Sequence, residues 1–166
     1  MYDTDVMLKT VYTFFTGLLL ATFVGVGIAA FYVAPKPPEY PTVLSRPATK
    51  ETPELTAEQQ KTQEEFDAAN KVHQEKFKTY ARNVSLGALG FAVLFAVLGL
   101  LLAERILVLA DGVLLGGFFT LLYSIGWGFA TEDNRFRFLM VTIGLVVALT
   151  LGYLKFVRPE QAHRRR

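Results

Sequence analysis

The chain has 166 residues, enough for one domain, with no cysteine and a formal net charge of +2. The missing cysteines exclude disulfides, thiolate nucleophiles and cysteine-ligated metals; a near-balanced charge with no basic, aromatic-interleaved stripe argues against a nucleic-acid partner. Apolar residues make up 52% of the chain, and they gather in four unbroken runs with nearly all the charge between and outside them. A bilayer demands such runs of helices, whereas a membrane barrel alternates apolar and polar residues. The expectation is an all-α, polytopic membrane protein with four transmembrane helices, with the lipid bilayer as its first partner.

The first run covers 8–34 and exceeds the ~20 residues that a span needs. Its start, Met1-Tyr2-Asp3-Thr4-Asp5, is acidic, and the apolar stretch outruns the roughly 7–15 residues of a signal peptide, so it reads as a retained span. Gly17, Ala21, Gly25 and Ala29 recur at every fourth position. A step of four returns to nearly the same helix face, so the set forms a groove in which another backbone can approach closely.

Residues 35–55 are punctuated by Pro35, Pro37, Pro38, Pro41, Pro47 and Pro53. Proline removes a donor and keeps the residue before it out of the helical region, so this segment should be extended. Pro37-Pro38-Glu39-Tyr40 matches a short polyproline ligand pattern, but a rigid exit from the first span explains the same prolines.

A charged helix outside the membrane is expected over 56–83. It starts at Thr52-Pro53 or at Thr56, whose hydroxyl with Gln59 makes a capping box. Phe66, Ala69, His73, Phe77 and Tyr80 step by three or four and so form one narrow contact stripe. That stripe suits the proline segment of its own chain, a second copy or another protein. No breaker separates it from the second span, 84–103, so one helix of about 70 Å should run through both.

The second span carries Ala88, Ala92 and Ala96. The third, 107–130, carries Gly112 and Gly116, then Ser124 and Gly128. The fourth, 138–157, carries Gly144, Ala148 and Gly152, and a basic tail follows at 158–166. Packing within one bundle is the first use of these faces; the ladder of the first span is the best candidate for a partner subunit.

Asp111 is the one acid placed in a membrane run, and it forms a possible intramembrane polar site with Arg105. Capping of the third helix, or pairing with Arg105 at the interface, is preferred to an ion or proton role. Glu132-Asp133-Asn134 is read as a cap for the fourth helix, because Arg135 and Arg137 neutralise it at once. His73 and His163 each stand alone, so no metal is expected; no phosphate loop or catalytic constellation appears, so neither a cofactor nor an enzyme is expected.

Four spans put both termini on one side, together with the Glu104-Arg105 turn. Seven basic residues fall there and ten on the other side, most of the ten within a longer polar segment. The compact cluster at 164–166 favours cytoplasmic termini, in a bacterial inner membrane. The leading expectation is a non-catalytic membrane subunit that assembles with, or stabilises, a larger complex of other membrane subunits or of itself. The competing class is a small transporter or channel subunit using Asp111 with Thr120, Ser124, Thr142 and Thr150. It is weaker, because threonines in membrane helices usually bond their own backbone.

Overall fold

The computed structural model describes residues 2–42 and 57–157. Of these, 87% are helical and none forms a strand, so nearly every backbone polar group is satisfied within its own segment. The helices are α1 (Tyr2–Phe31), α2 (Ala57–Leu102), α3 (Leu107–Phe129) and α4 (Asn134–Gly152), the last followed by a π-helical turn at Tyr153–Val157. All four are long and apolar enough to cross a membrane. Two compact units emerge, Met1–Val33 with Ala81–Arg166, and Ala34–Tyr80.

Several boundaries differ from the sequence expectation. α1 begins at Tyr2, six residues before the apolar run, since Thr4, Asp5, Val6 and Met7 include no breaker and acids suit a helix N-terminus. It stops at Phe31, and the four prolines from Pro35 to Pro41 hold the following chain extended. α2 is one unbroken helix of 46 residues, roughly 69 Å long at 1.5 Å per residue. The residues proposed to start it, Thr52, Pro53 and Thr56, lie outside the described residues, as do Pro47, His163 and the tail 158–166.

α4 begins four residues earlier than its apolar run because Asp133 caps it. The Asp133 carboxylate accepts from the backbone N–H of Arg135 at 2.9 Å and of Phe136 at 3.4 Å. The same turn closes the end of α3. The Arg137 guanidinium donates twice to the Phe129 carbonyl, at 2.7 and 3.1 Å, and the Thr131 hydroxyl donates to the Gly128 carbonyl. Between them Glu132 takes a left-handed backbone, φ 57°, which reverses the chain direction.

In the first unit α3 is the centre. α1 runs parallel to it, with Gly112 against Thr16, Gly116 against Leu20 and Gly25 against Tyr123. The 81–102 part of α2 runs antiparallel, with Gly99 against Leu114 and Gly117 against Ala92, Phe95 and Ala96. α4 is antiparallel too, with Gly144 against Ile125 and Gly128 against Met140. Of the apolar stretches, 39% of α2 and of α3 is buried, against 11% of α1 and of α4, so α2 and α3 form the inner pair.

The second unit is a hairpin of unlike arms. The extended proline segment runs back along the 57–80 part of α2. Pro35 meets His73 near one end, and Tyr40 meets Phe66 further along.

Candidate functional site

The candidate features are the small-residue faces, the membrane-region acid and the aromatic stripe. The small-residue faces are spent largely inside this chain. A Cβ on Gly17 would come within 3.0 Å of Leu115, and one on Gly116 within 2.9 Å of Leu20. Ala88, Ala92 and Ala96 are all buried, and the backbone of the last two sits against Gly117. Gly117 was not singled out from sequence, although a Cβ there would lie 3.0 Å from the Ala92 carbonyl oxygen. The ladder of α1 therefore does not present itself whole to an outside partner. Gly17 and Gly25 turn to α3, Ala21 is half-buried, and Ala29 alone is exposed. In α4, Gly144 is buried, Ala148 is half-buried, and a Cβ on Gly152 would meet nothing within 4 Å.

A polar clamp lies at the centre of this packing. The Ser85 hydroxyl donates to the Ser124 carbonyl at 2.8 Å, and the Ser124 hydroxyl donates to the Ser85 carbonyl at 2.7 Å. Both serines are 0% exposed. Such reciprocity needs two small hydroxyl residues at facing positions of antiparallel helices in close approach. Ser124 was considered for a transport path; here it ties α3 to α2. Ser85 was overlooked, although it extends the ladder of Ala88, Ala92 and Ala96 by one turn. Thr120, Thr142 and Thr150 each donate to the carbonyl four residues earlier in their own helix. Among the described residues no buried side-chain nitrogen or oxygen lacks a partner.

Asp111 does not cap α3 and does not pair with Arg105. The helix starts at Leu107 after Ile106, which makes no side-chain cap, so Asp111 falls in the second turn. The run from Ile106 to Ala110 contains no breaker, and nothing delays the helix to Gly112. Arg105 remains exposed in the turn before it. Asp111 is the fifth residue of α3, beyond the turn that holds Arg105, and its side chain meets the π turn after α4. There the Lys155 ammonium lies 2.5 Å from an Asp111 carboxylate oxygen. In the sequence Lys155 is only one of the seven basic residues on the side of the termini. Antiparallel pairing of α3 with α4 sets the start of one beside the end of the other, and Lys155 sits in the π turn.

The aromatic stripe of α2 is also partly occupied. The rings of Tyr40 and Phe66 meet edge to face at 5.3 Å, His73 stacks with Phe77 at 6.2 Å, and Phe77 neighbours Tyr80. Nε2 of His73 lies 3.2 Å from the Pro35 carbonyl, so this nitrogen carries the proton and donates. Ala69 lines a shallow groove with Pro35, Pro38 and His73. Tyr40 of the Pro-Pro-x-Tyr pattern is thus engaged with its own chain. Among the described residues no three potential metal ligands come together.

An apolar groove of 450 Å³ lies between α1 and α2, with Phe23, Gly27 and Ile28 on one wall and Gly87 and Phe91 on the other. A Cβ on Gly27 or Gly87 would meet nothing within 4 Å. At one end of the groove the Asn83 amide donates to the Tyr32 hydroxyl at 2.9 Å. No family model, curated protein or solved structure matches the chain.

Proposed function

We propose that this chain is a non-catalytic, multi-pass membrane subunit that assembles with or stabilises a larger membrane complex. The observation that carries the reading is the groove between α1 and α2. Gly27 and Gly87 line it, yet neither meets another part of the chain. Glycine costs a helix about 1 kcal/mol relative to alanine, so its use where no internal neighbour requires it points to an outside helix backbone approaching closely. A Cβ on Gly90, Gly126 or Gly152 would likewise meet nothing within 4 Å, but Gly27 and Gly87 together line one groove between two helices.

The 57–83 part of α2 then lies outside the membrane, held to the proline segment and offering its Glu, Gln and Lys faces to the same partner. Both termini lie in the cytoplasm of a bacterial cell, on the strength of the basic tail. The transporter reading has less support. Asp111 is paired with Lys155, the hydroxyls of Thr120, Thr142 and Thr150 bond within their own helices, and that of Ser124 ties α3 to α2.

Purification in mild detergent, with mass-spectrometric identification of co-purifying chains, tests the proposal. Stoichiometric foreign subunits or a defined homo-oligomer are expected. Gly27→Leu with Gly87→Leu should release them while leaving the chain folded. A monodisperse monomer from gently solubilised membranes would rule the proposal out.

A further inference from the structure

We propose that a second groove, between α1 and α4, holds a zwitterionic phospholipid, with an acyl chain on its apolar floor and the headgroup at the Asp111–Lys155 pair. The inference rests on reading the four helices as membrane spans, and not on assembly with a partner.

This groove measures 390 Å³. Leu114, Leu115 and Phe118 of α3 form its floor, with Leu151 and Gly152 of α4 on one wall. Asp111 and Lys155 are its charged lining residues. Small-molecule pockets run from about 300 Å³ upward and join apolar walls to a few polar groups that fix orientation. Here those polar groups are a full anion and a full cation, side by side.

The depth is right for a headgroup. α3 has 23 residues, which at 1.5 Å each just exceeds a hydrocarbon core of ~30 Å. Asp111 therefore lies near the edge of that core, and the Lys155 stem lets its ammonium rise to meet it. The pair is also reachable, since the side chains are 31% (Lys155) and 36% (Asp111) exposed.

Charge selects the occupant. A phosphate is drawn to Lys155 and an amine headgroup to Asp111, so a lipid carrying both signs matches both residues. A purely anionic headgroup gains at Lys155 and is repelled by Asp111. Gly152 keeps the wall open: a Cβ there would meet nothing within 4 Å and would project toward the groove's occupant.

The test uses the full chain, purified in mild detergent and offered equal amounts of phosphatidylethanolamine and phosphatidylglycerol with identical acyl chains. Native mass spectrometry then reads the retained lipid. The expected result is one phosphatidylethanolamine per chain, retained about ten-fold over phosphatidylglycerol. Gly152→Leu should abolish retention of either lipid without changing the thermal unfolding midpoint. Asp111→Asn combined with Lys155→Met keeps the pair neutral and should equalise the two lipids. Equal retention by the native chain, a preference for phosphatidylglycerol, or retention unaffected by Gly152→Leu in a folded protein each overturns the proposal. Loss of the preference leaves partner co-purification untouched, so the two readings fail separately.

Discussion

Ser85 and Ser124 are small enough to vanish into a helix interface and polar enough to hold it. Each hydroxyl supplies one interhelical bond to a carbonyl that its own helix already uses, so each replacement loses one donor and leaves no orphan. Ser85→Ala and Ser124→Ala should each destabilise the folded chain by about 0.6–1.7 kcal/mol in denaturant titration in detergent, with a measurable coupling between them because the two residues are in contact. Gly117 sets a different constraint, because its hydrogen faces backbone and not a movable side chain. Gly117→Ala should cost about 1–3 kcal/mol in the same titration, while Gly87→Ala, with open space before it, should be neutral or stabilising by up to about 1 kcal/mol. At this scale the sequence was only partly legible. Spacing by four marked Ala88, Ala92 and Ala96, but a lone serine between apolar neighbours gives no signal of which helix it will face. Lys155 was hidden for the same reason: its partner lies 44 residues away, and only the pairing of α3 with α4 joins them.

Whole elements were easier to read, because their causes are local. Four unbroken apolar runs and the absence of Gly or Pro through 58–82 were enough to foresee the four helices and the length of α2. Their ends were less legible, since a helix extends past its apolar run until a cap or a proline stops it, as Asp133 does for α4 and the prolines after Phe31 do for α1. Asp133→Ala removes the acceptor for two orphan N–H groups and should cost about 0.5–2 kcal/mol, with faster amide exchange at Arg135 and Phe136 as its local signature. In the hairpin of Ala34–Tyr80, the proline arm is held by the Tyr40–Phe66 ring contact and the bond from His73 to Pro35. Phe66→Ala removes an aromatic pair worth about 0.5–1.5 kcal/mol beyond its area, so limited digestion with a glutamate-specific protease should cut after Glu39 several-fold faster. An unchanged cleavage rate would mean that this ring contact does not hold the arm.

At the level of the whole molecule, polar groups in the apolar region are spent on cohesion, and the exterior of the first unit is left apolar. Phe14, Phe15, Leu18, Phe23, Leu139, Leu145 and Leu149 all stand exposed, an arrangement that water penalises and hydrocarbon does not. What sequence spacing could not convey is the hub. α3 touches all three other helices, and four of its five glycines are divided among them: Gly112 and Gly116 for α1, Gly117 for α2, Gly128 for α2 and α4. A four-residue ladder names a face, but which neighbour fills it depends on the assembled bundle.

The up-and-down crossing of a bilayer is the claim on which the rest depends, and the chain has no cysteine to confuse its mapping. Single replacements Asp5→Cys, Lys36→Cys, Glu104→Cys and Glu132→Cys, probed with an impermeant thiol reagent in sealed membrane vesicles, measure it directly. The account predicts that Asp5→Cys and Glu104→Cys label from one side and Lys36→Cys and Glu132→Cys from the other. Labelling of the Glu104 and Glu132 positions from the same side, or release of the folded chain into detergent-free buffer, would contradict it.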